Sequence, residues 1–178
     1  FGEGAQTSAF LPAFVRTQEH AGMAAARDLV GGVFLALALL LTALVAGVEL
    51  KPGGILWWEP LSGDARLLVE LLMWLFPYVI CICLAAQQSA VLHGRRQFLW
   101  PAVLPIVLNL VWLAALPIAF HATPDKIERM LWLCGSILLA GVLQLAIPVA
   151  VLSRQGFPLW PSLQSTWPRV GEVFGALG

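Results

Sequence analysis

The stretch that decides the fold is LVGGVFLALALLLTALVAGV, residues 29–48, which contains no charged residue and no amide side chain. The hydrocarbon core of a bilayer is about 30 Å thick, and about 20 apolar residues in an α-helix cross it. Backbone N–H and C=O groups in lipid must be paired within their own segment, which favours a helix over an open strand. Residues 29–48 are therefore predicted to form a transmembrane helix.

Three further apolar runs of similar length follow, and two shorter ones lie at the ends of the chain. The full-length runs are 67–92, which carries Glu70 near one end, 98–120 and 130–152. Residues 1–16 are typical of the latter half of an earlier span, and 169–178 of the start of a later one. The sequence predicts an all-α, polytopic transmembrane helix bundle, with residues 1–178 as a fragment of a single membrane domain.

The composition supports a membrane protein and excludes several functions. Apolar residues make up 60% of the chain and charged residues 11%, against about 45–50% and about 25% in soluble domains. The net charge of zero argues against a nucleic-acid partner, which needs a basic surface. The histidines and the three cysteines form no metal-binding or catalytic pattern. We therefore expect no metal, no cofactor and no enzymatic activity.

The basic residues between the runs predict an orientation. One set of Lys and Arg residues is predicted to lie on one side of the membrane. A second set, which is interspersed with acidic residues, is predicted to lie on the other side. By the positive-inside rule the first set is predicted to be cytoplasmic, with the hairpin Arg95-Arg96 as its strongest part. The first set is Arg16, Arg27, Arg95, Arg96, Arg154 and Arg169, and the second is Lys51, Arg66, Lys126 and Arg129.

Four prolines lie inside the predicted spans and are candidates for helix kinks. They are Pro77, Pro105, Pro117 and Pro148. Each removes one backbone hydrogen bond and can bend its helix. Interrupted helices line cavities in transporters, whereas proline is also frequent in ordinary transmembrane bundles. The prolines favour a transporter without excluding plain bundle geometry.

Amide side chains within the spans are candidates for a substrate cavity. Gln87 lies in the second complete span, Asn109 in the third and Gln144 in the fourth. Amides at this depth face other helices or a watery cavity rather than lipid, so interhelical hydrogen bonding is the competing interpretation. Because Asn109 follows Pro105 by one turn, a carbonyl freed by that proline is a possible local partner for its amide.

Glu3 is the candidate that points most directly to function. It stands between Gly2 and Gly4 in a predicted membrane segment, where an ionisable side chain is a functional hypothesis by default. Its glycine neighbours would allow a helix or ligand to approach closely. The alternative is a hydrated carboxylate at the membrane surface.

The opening residues resemble a known family motif. Phe1-Gly-Glu-Gly-Ala, three variable residues and then Ala9-Phe10-Leu11-Pro12 are similar to the second-helix motif of the MurJ/MviN family, the lipid II flippases of bacterial cell-wall synthesis. Later segments agree in order with the family: Phe76-Pro77-Tyr78, Pro101-Ala102 with Pro105 and Leu108-Asn109, Gly141 to Leu145, and Pro161 to Leu163. The chain resembles the part of the family from the second helix to the start of the seventh.

This resemblance implies the two-lobed architecture of the multidrug/oligosaccharidyl-lipid/polysaccharide exporter superfamily, in the bacterial cytoplasmic membrane, with this chain as part of the N-terminal lobe. It implies alternating access, in which a central cationic cavity takes up a lipid-linked peptidoglycan precursor of the undecaprenyl-pyrophosphate type. The family's cavity arginines lie on the helix before Phe1 and on a later helix, outside this chain. By resemblance, Glu3 would pair with them and release them to the anionic substrate.

Two other interpretations remain open. A related exporter, either a polysaccharide-unit flippase or a drug/cation antiporter, shares the expected architecture. A small stand-alone structural subunit is the other alternative, although the absence of a starting methionine argues against it. The motif at residues 1–12 favours the lipid II flippase.

Overall fold

The computed structural model describes residues 2–49 and 63–157, except for the side chains of residues 2–11 and 64. These ranges form five helices: α1 (Gly2–Glu49), α2 (Gly63–Leu75), α3 (Tyr78–Gly94), α4 (Leu99–Ala122) and α5 (Lys126–Arg154). They contain no strand. Four helical stretches within them are long and apolar enough to cross a membrane: Pro12–Glu49, Ala65–Gly94, Leu99–Ala122 and Lys126–Arg154. The predicted all-α membrane bundle is confirmed, while the predicted span 169–178 lies outside the described residues.

A single residue interrupts α1. Gly22 has φ 83° and ψ 175°, and helical conformation continues on both sides of it. The sequence suggests a longer connection between residues 16 and 29, yet this segment is rich in alanine and other strong helix formers. Only glycine adopts a positive φ without a steric cost, so the change of direction is confined to Gly22.

The predicted run 67–92 is divided into two helices. α2 ends at Leu75 and α3 begins at Tyr78, with a turn at Phe76-Pro77 between them. Phe76 N–H donates to the Met73 carbonyl at 3.1 Å, and Ile80 N–H donates to the Pro77 carbonyl at 3.1 Å. Pro77 has no N–H with which to continue the backbone hydrogen bonds of α2, but its fixed φ suits the position just before a new helix.

Helix α3 is the centre of the bundle, because it packs against α1, α4 and α5, while α5 also contacts α2 and α4. The largest buried cluster joins α1, the end of α3 and the end of α5. Its members are Phe14, Ala26, Leu29, Val30, Val33, Ala90, Val91, Leu92, Leu152 and Phe157. Both halves of α1 contribute to this cluster, so the Gly22 bend brings them against the same core.

The C-termini of α3 and α5 are capped in the same way. The Leu92 carbonyl accepts from the N–H groups three and five residues later, and the Leu152 carbonyl does the same. The residue between those donors has a positive φ: 59° at Arg96 and 80° at Gly156. This is the bonding pattern of a helix ended by a left-handed residue. The Gln155 side-chain amide donates to Gln97 Oε1 at 2.9 Å and ties the two caps together.

The difference between these caps gives a testable prediction. Arg96 holds a left-handed conformation that costs a non-glycine residue about 1 kcal/mol. Arg96→Gly is therefore expected to raise the free energy of unfolding by about 0.5 kcal/mol, since glycine also gains freedom in the unfolded chain. Gly156→Ala is expected to lower it by about 1–2 kcal/mol, because alanine is strained at φ 80° and its Cβ would lie 3.2 Å from Arg27 Nη2. Unfolding in mixed micelles measures both; a shift of the same sign for the two variants would contradict the prediction.

The α4–α5 connection is held by side chains. Asp125 caps α5 by accepting from the Ile127 N–H at 3.4 Å. Thr123 donates its hydroxyl to Glu128, and Arg129 Nε donates to the Thr123 carbonyl at 2.8 Å. This connection lies at the opposite end of α5 from the cap at Gly156, so the short turns of the bundle are fixed at both ends.

Candidate functional site

Gln87 is buried between α1 and α3. Its side chain is 1% exposed, and its Nε2 donates to the Val30 carbonyl on α1 at 3.3 Å. The neighbouring Gln88 donates from Nε2 to Gln87 Oε1 at 3.1 Å. Both polar atoms of the Gln87 amide are therefore engaged. The amide pair joins two helices at a depth where unpaired polar groups are costly.

Gln144 joins three helices. From α5 its Nε2 donates to the Leu104 carbonyl on α4 at 2.8 Å. Its Oε1 accepts from the Tyr78 hydroxyl, at the start of α3, at 3.2 Å. The side chain is 2% exposed, so the three partners form a polar junction inside the bundle.

Gly141 allows α3 and α5 to approach at this junction. A Cβ at residue 141 would lie 2.7 Å from Tyr78 Cδ2 and 3.2 Å from Cys81 Cβ. Contacts this short do not occur without displacement of the neighbouring atoms, so the ring of Tyr78 packs directly on the glycine backbone. Small residues at helix interfaces permit such close packing in membranes.

The polar junction at Gln144 predicts that replacing Gln144 and replacing Asn109 change the free energy of unfolding by different amounts. Gln144→Leu is expected to lower the free energy of unfolding by about 1–2 kcal/mol, since two interhelical hydrogen bonds in the membrane are lost. Asn109→Leu is the matched control, because the Asn109 side chain is exposed on α4 and has no hydrogen-bond partner among the described residues. Unfolding in mixed micelles compares the two. Equal effects would show that the Gln144 bonds do not stabilise the bundle.

The four prolines occupy different settings. Pro77 stands at the break between α2 and α3, Pro105 and Pro117 lie within α4, and Pro148 lies within α5. Pro148 is fully buried, whereas Pro105 and Pro117 are exposed in the described bundle. A cavity of about 400 Å³ opens at the break and is lined by Glu49, Met73, Trp74, Pro77 and Leu138. Pro77 is the proline that interrupts a helix beside open space.

A larger apolar groove of about 800 Å³ runs between α2, α4 and α5. Trp74 and Trp132 form part of its walls, Ala114 and Gly135 are among its small lining residues, and Glu128 lies on it. The sequence suggests that deep tryptophans such as Trp74 pack between helices, but the side chain of Trp74 is 59% exposed.

Comparison with known proteins decides the family. The sequence profile described as "Lipid II flippase MurJ" matches residues 1–178. The chain belongs to this family. It is therefore a multi-pass protein of the bacterial inner membrane, in agreement with its apolar helices. No solved structure gives a significant match.

Curated members of the family from several bacteria are similar to this chain. A probable lipid II flippase MurJ of Rhizobium tropici is 35% identical over 153 residues, which cover 83% of this chain and 29% of the relative. One from Rhizobium meliloti is 30% identical over 88% of this chain and 30% of the relative. The lipid II flippase MurJ of Burkholderia cenocepacia is 29% identical over 85% and 30%. The chain thus spans about a third of the length of the curated relatives it matches.

Within this MurJ-family chain, the predicted cavity residues are not brought together. Gln87 lies between α1 and α3, Gln144 lies between α3, α4 and α5, and Asn109 is on the exposed face of α4. The expected bond between Asn109 and a carbonyl freed by Pro105 is not formed within the described residues. The side chain of Glu3 lies outside the described residues. A substrate-cavity role for these four residues stays a prediction.

Two features of the junction were not predicted from the sequence. Tyr78 belongs to the motif Phe76-Pro77-Tyr78, and nothing in that motif indicates that its hydroxyl donates to Gln144. Gly141 likewise belongs to the segment Gly141 to Leu145, and nothing in that segment indicates that a Cβ at this position would lie 2.7 Å from Tyr78 Cδ2. The single tyrosine of the chain inside a predicted span was the available signal, because a buried Tyr hydroxyl usually finds a partner.

Proposed function

We propose that this chain is part of a flippase that moves a lipid-linked peptidoglycan precursor of the undecaprenyl-pyrophosphate type across the cytoplasmic membrane by alternating access. The observation that carries the proposal is the family match over residues 1–178, together with curated relatives that bear the name lipid II flippase. The protein acts as a transporter and not as an enzyme in this proposal. The interrupted helices at Gly22 and Pro77 support it, since such breaks are typical of transporters.

In this proposal the described helices form a packed unit within one lobe of the transporter. The amides of Gln87 and Gln144 form interhelical bonds, so their role in the proposal is to hold α1, α3, α4 and α5 together during the transport cycle. Glu3 is assigned to the substrate cavity, where it pairs with cationic groups supplied by other parts of the protein. Release of those cations on arrival of the pyrophosphate would couple binding to opening.

The experiment that tests this function is translocation by the full-length protein in proteoliposomes. Labelled lipid II is placed in one leaflet, and its appearance in the other is followed with a membrane-impermeant reagent. We expect lipid II to cross and unlabelled lipid II to compete. Transport of a cationic drug or of a polysaccharide-linked lipid without competition by lipid II would instead assign the protein to a related exporter.

Replacement of Glu3 tests the proposed cavity. Glu3→Gln is expected to slow lipid II translocation several-fold, because a neutral amide no longer pairs with the cavity cations, while the unfolding midpoint remains unchanged. Glu19→Gln is the matched control, since Glu19 is an exposed carboxylate on the same helix. Initial rates in proteoliposomes measure the difference. A Glu3→Gln variant with the same rate as the Glu19→Gln variant would refute the role of Glu3.

A further inference from the structure

Two arginines from separate elements meet at one aromatic ring where α3 and α5 end. The guanidinium carbon of Arg27, on α1, lies 5.6 Å from the centre of the Phe157 ring. That of Arg95, directly after α3, lies 4.9 Å from the same centre. Phe157 is 3% exposed, and its ring also packs against Phe14 at 6.4 Å. The core thus fixes the ring, and both guanidinium groups lie against it.

Both arginines carry a buried donor that lacks an acceptor. Arg27 Nε and Arg95 Nε are inaccessible to solvent and have no hydrogen-bond partner in the described part of the chain. An arginine cannot lose its proton to avoid this cost, and buried donors in native proteins are normally satisfied by protein, water or ligand. The two guanidinium groups therefore carry positive charge that the described residues leave without an acceptor at Nε.

The carboxylates of the described residues do not neutralise this pair. Their ion pair is between Arg66 and Glu70 on α2, away from this end of the bundle. Glu19 is exposed, and neither Arg27 nor Arg95 forms an ion pair among the described residues. An anion bound by both guanidinium groups would offset their positive charge, which no carboxylate of the described residues does.

We propose that Arg27 and Arg95, held by Phe157, bind the phosphate of an anionic phospholipid headgroup in the cytoplasmic leaflet. A phosphate offers several strong acceptor oxygens, and guanidinium groups bind it through paired, charge-assisted hydrogen bonds. The positive-inside rule assigns this end of the helices to the cytoplasm, where anionic lipids are recognised by basic pockets between transmembrane helices. The proposal adds a lipid site to the protein and does not depend on which substrate it transports.

Other arginines at this end provide the contrast that makes the proposal specific. Arg96 and Arg154 carry the same charge but are exposed, and neither has its guanidinium at the Phe157 ring among the described contacts. Exposed basic residues attract an anionic membrane surface in general, with a weak dependence on each residue. Lipid binding at the proposed site instead depends far more on Arg27 and Arg95 than on Arg96 and Arg154.

The test is lipid binding by the full-length protein, delipidated in a neutral detergent and titrated with phosphatidylglycerol while native mass spectrometry records the bound lipid. Arg27→Gln and Arg95→Gln are each expected to weaken binding about tenfold or more. Arg96→Gln and Arg154→Gln are expected to change it by less than about fivefold. Equal losses in all four variants, or none in the first two, would overturn the proposal.

A conservative variant and a soluble competitor complete the test. Arg95→Lys keeps the positive charge, so it is expected to fold even if Arg95→Gln does not. It should still weaken lipid binding several-fold, because lysine lacks the planar guanidinium group that forms paired hydrogen bonds. Unchanged binding by Arg95→Lys would overturn the paired geometry. Inorganic phosphate at millimolar concentration is expected not to displace the lipid. Displacement that depends on Arg95 would overturn the lipid headgroup as the source and assign the site to a soluble phosphate compound.

Discussion

Phe157→Ala is expected to lower the free energy of unfolding by about 3 kcal/mol, the largest effect on stability that we predict for a single truncation in this chain. The ring is almost fully buried in the cluster that joins α1, α3 and α5. Its removal leaves a cavity beside Phe14. It also removes the aromatic face that Arg27 and Arg95 approach, and each such contact contributes about 0.5–1 kcal/mol or more.

Phe98→Ala is the matched control for this truncation. Phe98 is near the same end of the bundle, but its side chain is 62% exposed, with its ring 5.6 Å from that of His93. We expect its truncation to cost less than about 1 kcal/mol. Unfolding of both variants in mixed micelles gives the comparison. If the two truncations cost the same, Phe157 does not anchor the core.

Gly141→Ala is expected to lower the free energy of unfolding by about 2 kcal/mol, although alanine is the better helix former. The new methyl group would overlap the Tyr78 ring and approach Cys81 Cβ. Relief of that overlap requires α3 and α5 to move apart or Tyr78 to rotate, and either change weakens the hydrogen bond from the Tyr78 hydroxyl to Gln144.

Two further variants separate this clash from a general effect of alanine. Gly135→Ala, on the same helix, meets no atom within 4 Å of the new Cβ and is expected to be neutral or stabilising by up to about 1 kcal/mol. In the Gly141→Ala, Tyr78→Ala double variant the ring is absent, so the two costs should not add. Additive costs, or an equal loss for Gly135→Ala, would exclude the proposed contact.

The fold was predictable where one local property decides it. Apolar length identifies the membrane helices, and the missing N–H of Pro77 identifies a break in the second apolar run. The bend at Gly22 was not predicted, because its neighbours favour helix on both sides and glycine is tolerated within helices. Only the packing of Phe14 and Ala26 into one core requires the change of direction there.

The buried polar residues were predictable by type but not by partner. A glutamine deep in an apolar run must be paired, and Gln87 and Gln144 are. Their acceptors, however, are backbone carbonyls 57 and 40 residues away in the chain, and nothing in the local pattern marks the Val30 or Leu104 carbonyl. Whether such an amide forms an interhelical hydrogen bond or faces an open cavity depends on how the helices pack. The periodicity of one segment does not determine that packing.

The one-residue bend of α1 has a consequence for experiments on membrane topology. A connection made by Gly22 alone offers no extended loop for a protease to cleave or for an epitope tag to replace, since the residues on either side are helical. An insertion there would displace Phe14 or Ala26 from the core, and the topology measured would be that of a disrupted protein. Substituted-cysteine labelling at the exposed Met23 adds no length, and is therefore the way to determine on which side of the membrane this bend lies.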